Sequence, residues 1–148
     1  MKLVVMKFGG TSVQDAEAIG RTASIVQGRI QGDQRPVVVV SAMSKVTDQL
    51  LAAAKAAGCG DRGGALEISS RLRQRHLDTA GKLLSPARLR QFEPAVHEHF
   101  EALDEILRGL SAVGELTPRT NDMVVSYGER ISSLLVTEAF LERGIPAV

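Results

Sequence analysis

The alternation of two apolar, β-branched runs with two helical segments constrains the fold of this chain more than any other feature. Residues 2–8 (KLVVMKF) and residues 36–41 (PVVVVS) are typical of buried strands, and a strand tolerates the proline that begins the second run. Apolar residues recur with helical spacing over residues 15–31 and 47–57, each followed by a glycine. This order predicts an α/β fold on a mainly parallel sheet, with helices on both faces.

The middle and end of the sequence predict helices. Residues 65–84 and 86–110 are amphipathic and rich in Arg, Glu and Leu, which indicates a helical insertion packed beside the sheet. A hydroxyl followed by proline, at Thr117 and Pro118, is a helix start signal. We expect the helix that begins there to end near Arg143, before a glycine.

The last four residues (IPAV, residues 145–148) are typical of the start of a third strand. The length of 148 residues suits about one domain, and no low-complexity linker divides it. A sequence that stops at the beginning of a core strand is more typical of a fragment than of a natural terminus. We therefore expect residues 1–148 to be the amino-terminal portion of a larger domain.

Composition excludes several classes of function. The 18 Lys and Arg residues are matched by 17 Asp and Glu residues, so the chain lacks the basic excess that nucleic-acid binding usually shows. No apolar run approaches the roughly 20 residues that span a bilayer, so we predict no membrane contact. The single cysteine, Cys59, cannot form an internal disulfide, which favours a reducing, cytoplasmic location.

The first candidate site follows the first predicted strand, at the edge where open α/β sheets bind ligands. Gly9 and Gly10 carry no side chain, so a phosphate can approach their backbone N–H groups. Thr11 and Ser12 add hydroxyl donors, and we expect the next helix to direct its positive end at the same place. The charge of Lys7 suits a transferring phosphoryl group, so we predict phosphate binding here rather than a plain strand-to-helix turn.

The second candidate site follows the second predicted strand at the same sheet edge. Ser41 and Thr47 are placed to donate or accept hydrogen bonds to a ligand. The alternative is that Ser44 or Thr47 simply caps the helix that follows. The sequence leaves both interpretations open.

The third candidate is Glu129, inside an otherwise apolar helix that we expect to run through the core. The neighbouring Gly128 costs roughly 1 kcal/mol in a helix interior, so we expect it to serve close packing or a ligand. A buried carboxylate requires a cation. That cation is either Arg130 or the ammonium group of a substrate.

Two other patterns do not predict sites. Residues 58–63 (GCGDRG) match the spacing of dinucleotide-binding loops but follow a helix, so we expect a flexible loop. His97 and His99 are two residues apart, and such residues do not share a helix face. We predict no metal site, because no Cys or His cluster has ligand spacing.

Three segments of the chain resemble the aspartate kinases of the amino acid kinase superfamily. The amino-terminal run MKFGGTSV (residues 6–13) is similar to the signature of that family. Two further segments agree in order and spacing: VVSAMSKVTDQLL (residues 39–51) and TPRTNDMVVSYGERISSLLV (residues 117–136). The resemblance covers the whole chain, and the helical middle is its least distinctive part.

The resemblance implies phosphorylation of the side-chain carboxylate of L-aspartate by ATP with Mg²⁺, giving 4-phospho-L-aspartate and ADP. This is the first step of lysine, threonine, methionine and isoleucine synthesis. The roles it implies are phosphoryl stabilisation by Lys7; a phosphate path along Gly9, Gly10, Thr11 and Ser12; aspartate contacts from Ser41 and Thr47; and capture of the aspartate ammonium group by Glu129.

The family's later Gly-Arg-Gly-Gly-Ser-Asp segment, its adenine-binding segments and its ACT regulatory domains are not in this sequence. We therefore expect residues 1–148 to have little or no kinase activity alone. Unpaired strand edges also lead us to expect association, and the protein to be a homo-oligomer. The alternatives are another amino acid kinase, acting on glutamate, acetylglutamate or a nucleotide, and a non-catalytic assembly fragment.

Overall fold

The computed structural model describes residues 2–148, in which a two-stranded parallel sheet is accompanied by five α-helices and one short 3₁₀ turn. The elements in chain order are β1 (Lys2–Phe8), the 3₁₀ turn (Gly10–Val13), α1 (Ala16–Gln31), β2 (Gln34–Val40), α2 (Val46–Gly58), α3 (Arg62–Leu83), α4 (Pro86–Val113) and α5 (Pro118–Glu142). The predicted α/β class with a parallel sheet is confirmed.

Local capping signals set the helix boundaries. The Asp15 carboxylate accepts a hydrogen bond from the Ala18 N–H, and the Thr117 hydroxyl accepts one from the Thr120 N–H. These side chains satisfy backbone donors that a helix leaves unpaired at its first turn. The predicted start at Thr117 and Pro118 is therefore confirmed.

The two strands end together. Lys7 lies opposite Val39 and Phe8 opposite Val40 in the parallel register. Because α1 connects the strands as a crossover, the loops that follow β1 and β2 leave the sheet at the same edge. Both candidate loops therefore begin side by side.

The strands are less buried than predicted. Side chains on successive strand residues point to opposite faces. Met6, Phe8 and Val38 pack against the helical core, whereas Leu3 and Val5 on the other face are 62% and 67% exposed. Within residues 2–148, helices therefore cover only one face of the sheet, and the expectation of fully buried strands is wrong for this part of the chain.

The helical middle packs on other helices rather than on the sheet. α3 and α4 form a hairpin that lies against α2 and α5. Its interior includes a polar pair, in which the Ser69 hydroxyl donates to the Asp104 carboxylate at 2.5 Å, and Arg73 donates to the same carboxylate at 3.1 Å. A helical insertion is confirmed, but its predicted position beside the sheet is wrong.

The predicted start of a third strand is also wrong for the described residues. Residues 145–148 follow α5 without strand pairing. Ile145 is nevertheless buried, and its N–H donates to the Phe140 carbonyl at 2.9 Å. None of the helices within residues 2–148 is long and apolar enough to cross a membrane.

Candidate functional site

The loops that follow β1 and β2 are joined by backbone contacts. We call residues 9–15 the first loop and residues 41–45 the second loop. The Ser41 N–H donates to the Phe8 carbonyl, and the Ser44 N–H donates to the Gly10 carbonyl, both at 3.1 Å. A Cβ atom at Gly10 would lie 3.1 Å from the Ala42 carbonyl oxygen, which is tighter than most side chains tolerate. A glycine at position 10 therefore lets the two loops approach this closely.

The first loop differs from the expectation in one respect. A 3₁₀ turn begins at Gly10 and is closed by the Ser12 N–H, which donates to the Gly9 carbonyl, and α1 begins only at Ala16. The Asp15 carboxylate occupies the first turn of α1. The helix therefore does not begin directly after the predicted phosphate loop, and the contribution of its dipole to that loop stays a prediction.

The polar side chains of Lys7, Thr11 and Ser12, at and after the end of β1, have no protein partners within residues 2–148. Lys7, near the end of β1, and Thr11 of the loop are exposed, and neither side chain has a hydrogen bond or ion pair to any of residues 2–148. The Ser12 carbonyl accepts a hydrogen bond from the Thr22 hydroxyl of α1 at 2.8 Å, while the Ser12 hydroxyl has no such partner. The backbone of this loop is thus fixed, and its polar side chains are available to a ligand.

The structure of the second loop excludes the alternative that Ser44 or Thr47 caps α2. The residue that precedes α2 is Lys45, which adopts a left-handed conformation (φ 65°), and no side chain caps the helix. The hydroxyls of Ser41 and Thr47 are half-buried and have no hydrogen-bond partner within residues 2–148. Ser44 takes part through its backbone only. The structure therefore leaves Ser41 and Thr47 free to contact a ligand.

The third segment reaches the second loop through Gly128. A Cβ atom at this position would lie 2.8 Å from the Ala42 Cβ and 3.3 Å from the Leu50 Cδ1. The expected close packing at Gly128 is therefore confirmed. α5 is buried along one side only, and Glu129 follows Gly128 on the exposed part of the helix.

Glu129 does not pair with its neighbour Arg130. The Arg130 guanidinium stacks over the Tyr127 ring, 4.5 Å from the ring centroid. Glu129 is exposed, and its carboxylate has no ion pair or hydrogen bond within residues 2–148. The interpretation of Glu129 as a buried carboxylate neutralised by Arg130 is wrong, and its carboxylate is free one residue after the glycine that contacts the second loop.

The two remaining sequence patterns, residues 58–63 and the pair His97 and His99, have local structural roles. Residues 58–63 include the end of α2, a connection at residues 59–61 and the start of α3, and the Asp61 carboxylate caps α3 by accepting from the Gly64 N–H at 2.9 Å. His97 is exposed, whereas the His99 Nδ1 bonds the Ala95 carbonyl. No group of three or more His, Cys, Asp or Glu residues within 2–148 is arranged to hold a metal ion.

Sequence reasoning missed Arg75 of α3, which contacts both loops, and the buried His76 beside it in sequence. The Arg75 guanidinium donates to the Ser44 carbonyl at 2.8 Å and to the Gln14 carbonyl at 3.1 Å. The adjacent His76 is buried, and burial lowers its pKa to about 4. Both residues occur in an arginine-rich amphipathic stretch where nothing distinguishes them from solvated positions.

The chain is similar to known proteins over its whole described length. The sequence profile of the amino acid kinase family matches residues 2–148. Chloroplastic aspartokinase 2 of Arabidopsis thaliana is 39% identical over 141 residues, which cover 94% of this chain and 24% of the relative. Lysine-sensitive aspartokinase 3 of Escherichia coli is 33% identical over 148 residues, which cover 99% of this chain and 30% of the relative.

A solved structure agrees with these sequence relatives. The crystal structure of E. coli aspartokinase III in complex with aspartate and ADP superposes with a TM-score of 0.79 at 29% identity, over 97% of this chain and 30% of that one. The chain thus spans about a quarter to a third of the length of these relatives.

Proposed function

The chain belongs to the amino acid kinase family, and we propose that it is the amino-terminal, aspartate-binding part of an aspartate kinase. The reaction is the transfer of the ATP γ-phosphoryl group to the side-chain carboxylate of L-aspartate, giving 4-phospho-L-aspartate and ADP. Several relatives bear the name aspartokinase, and the solved neighbour was crystallised with aspartate and ADP. These similarities support aspartate as the acceptor.

One observation carries the proposal. Three segments that are distant in sequence meet at the end of the sheet, and each offers polar side chains without a protein partner. Their backbones are fixed by the Ser44–Gly10 hydrogen bond and by the close contact of Gly128 with Ala42. Phosphoryl transfer depends mainly on positioning and charge neutralisation, and fixed backbones with free side chains suit both.

Each segment has a separate role in the proposed mechanism. The Lys7 ammonium group neutralises the phosphoryl group during transfer, while the N–H groups and hydroxyls of Gly9, Gly10, Thr11 and Ser12 line the phosphate path. The Glu129 carboxylate receives the aspartate ammonium group, and the hydroxyls of Ser41 and Thr47 hold the rest of the amino acid.

Mg²⁺ enters this proposal with ATP. Mg²⁺ commonly binds phosphate oxygens together with one or two carboxylates and several waters. The described residues offer no group of three or more metal-binding side chains. We assign none of residues 2–148 as a metal ligand.

The substrate part is not the whole enzyme in this proposal. Because the chain corresponds to 24% of aspartokinase 2, we propose that segments outside these 148 residues supply most of the nucleotide site and any regulatory domain. The purified 148-residue chain is then expected to form no measurable aspartyl phosphate. ATP-dependent formation of that product by this chain alone would contradict the division.

The exposed sheet face supports a second candidate role. Leu3, Val5, Val37 and Val39 present apolar side chains to solvent on one face. Such a patch favours association, either in a homo-oligomeric enzyme or in a non-catalytic assembly protein. Measuring the molecular mass at several concentrations tests association, and a monomer at every concentration would weigh against it.

The deciding experiment is an ATP-coupled assay of the intact protein that contains this chain, with aspartate, glutamate, acetylglutamate and nucleoside monophosphates as acceptors. We expect turnover with aspartate, and a loss of about a hundredfold to a thousandfold in Lys7→Ala. Lys2→Ala, at the other exposed end of the same strand, is the matched control and is expected to retain activity. Turnover with a different acceptor, and none with aspartate, would overturn the proposal.

A further inference from the structure

Arg75 of α3 links both candidate loops to the helical hairpin. Its half-buried guanidinium donates to the Ser44 carbonyl, 31 positions away in sequence, and to the Gln14 carbonyl, 61 positions away. We call this arrangement the Arg75 bridge. A planar guanidinium presents its donors in a rigid fork, and bonds from a charged donor are stronger than neutral ones. The bridge therefore holds two separate backbone segments at a fixed distance from each other.

The bridge acts at a peptide that is already held from the other side. The Ser44 N–H donates to the Gly10 carbonyl of the first loop, and the Ser44 carbonyl accepts from Arg75. The backbone N–H and the carbonyl of Ser44 are therefore both hydrogen-bonded. Because the Gly10 carbonyl belongs to the first loop, displacement of Ser44 would also displace that loop.

The backbone conformation of the next residue, Lys45, explains why these contacts are required. Lys45 adopts φ 65°, a left-handed conformation that residues other than glycine, asparagine and aspartate rarely take. No side chain caps α2 at this point, so the cap itself does not impose the conformation. Conformations of this kind persist where surrounding contacts enforce them, and they are common at functional sites. The Val46 N–H closes a turn around Ser44 and Lys45 by donating to the Met43 carbonyl at 3.0 Å, and Arg75 holds the central peptide of that turn through the Ser44 carbonyl.

We propose that Arg75 is a positioning residue of the kinase site, acting through the two loops and not through the substrates. This inference rests on the proposed function, since the loops are those assigned to phosphate and aspartate. Loss of the bridge allows the peptide between Ser44 and Lys45 to rotate. The second loop then samples conformations in which Ser41, Thr47 and the first loop no longer face one ligand. Misplacement of about 1 Å is enough to slow a reaction about a hundredfold.

The test uses Arg75→Met in the intact protein, because methionine keeps an unbranched side chain in a helix. We expect faster hydrogen exchange of backbone amides in residues 9–15 and 41–47, and a fall in kcat of about tenfold to a hundredfold. Arg71→Met is the matched control, because Arg71 lies one turn earlier on α3, is exposed and pairs only with Glu67. It is expected to change neither quantity. If Arg75→Met does not fold, Arg75→Lys is used instead. Lysine keeps the positive charge, but its single ammonium group lacks the planar, forked donors that contact both carbonyls.

A second substitution separates positioning from general stability. Glycine adopts the left-handed conformation without strain, so Lys45→Gly removes the need for contacts that enforce it. We expect Lys45→Gly to restore at least part of the kcat lost in Arg75→Met, and to leave the otherwise unaltered enzyme near its normal kcat. A merely destabilised hairpin would not be repaired by a change in the loop.

The outcomes are distinct. Unchanged loop exchange or unchanged kcat in Arg75→Met would overturn the inference, and so would a kcat loss that Lys45→Gly does not reduce. If the unaltered protein phosphorylates another acceptor, the proposed substrate fails, and the same comparison is made with that acceptor. If it phosphorylates none, the proposed function fails, and Arg75 has no kinase site to position even where loop exchange responds.

Discussion

Gly128 of α5 lies directly against Ala42 of the second loop, so closely that a Cβ atom at position 128 would come within 2.8 Å of the Ala42 Cβ. Real Cβ atoms essentially never approach each other to this distance. The Ala42 Cβ is attached to the backbone and cannot rotate away. The absence of a side chain at Gly128 therefore sets the distance between α5 and the second loop, and with it the position of Glu129.

Gly128→Ala is expected to lower the free energy of unfolding by up to about 2 kcal/mol. Overpacking of a core costs about 1–3 kcal/mol, and alanine returns about 1 kcal/mol of helix propensity. Gly109→Ala on α4 is the matched control, because a Cβ there meets nothing within 4 Å. We expect that control to gain up to about 1 kcal/mol. Urea unfolding measures both, and a gain of stability at both positions would contradict the packing argument.

Glu129→Gln is expected to raise the KM for aspartate about tenfold to a hundredfold in the intact protein, with a smaller effect on kcat. A hydrogen bond to a charged group contributes about 1.5–3 kcal/mol, and the amide loses the charge that holds the ammonium group. The free energy of unfolding should not change, because Glu129 is exposed and unpaired within residues 2–148. Steady-state kinetics with varied aspartate provide the measurement.

The control for this prediction is Glu105→Gln, which removes an exposed carboxylate from α4. It is expected to leave the KM for aspartate unaltered. An equal effect of both substitutions would assign the change to net charge and not to the position of Glu129. A KM unaffected by Glu129→Gln would remove that residue from the aspartate site.

Local signals in the sequence predicted the elements well. Thr117 was predicted as a capping residue, and its hydrogen bond reaches only the third residue after it, so its effect is visible without knowing the fold. The same holds for the β-branched run that forms β1. These predictions required no information about distant parts of the chain.

Contacts between distant residues could not be predicted in this way. The sequence around Arg75 is a helical pattern with many charged residues, and its acceptors lie in two loops far along the chain. The exposure of Leu3 and Val5 is similar in origin, because a strand pattern does not reveal what covers each face. Gly128 was an exception, since a glycine inside an apolar helix indicates close approach.

Asp104→Ala is expected to lower the free energy of unfolding by about 3 kcal/mol. The substitution leaves the Ser69 hydroxyl without its partner and removes the carboxylate that pairs with Arg73. Removal of one member of a buried pair costs about 3–5 kcal/mol, and the partial exposure of Arg73 reduces this. The control is Asp78→Ala, which breaks an exposed bond to Gln74. Equal losses in chemical denaturation would contradict a special role for the buried pair.

The ring of His76, on α3, is buried against α4, and only one of its two nitrogens has a hydrogen-bond partner within residues 2–148. Its Nδ1 bonds the Leu72 carbonyl at 2.7 Å, its Nε2 is buried without a partner, and its ring lies 5.7 Å from that of Phe100. Burial lowers the pKa of His76 to about 4; the bond to Leu72 opposes this, and the charge of Arg75 adds to it. His76 is therefore neutral in the folded protein at neutral pH.

The stability of the chain is expected to fall by up to about 3 kcal/mol between pH 6.5 and pH 4, because the unfolded state binds a proton on His76 that the folded state excludes. His76→Leu should remove this slope, whereas His97→Gln, at an exposed position, should retain it. Urea unfolding at several pH values above about 5 measures the slope before ordinary carboxylates titrate. It also avoids Glu142, whose pKa is lowered by hydrogen bonds from Ser85 and whose contribution is lost only at more acidic pH. An equal slope in His76→Leu would assign the pH dependence to another group.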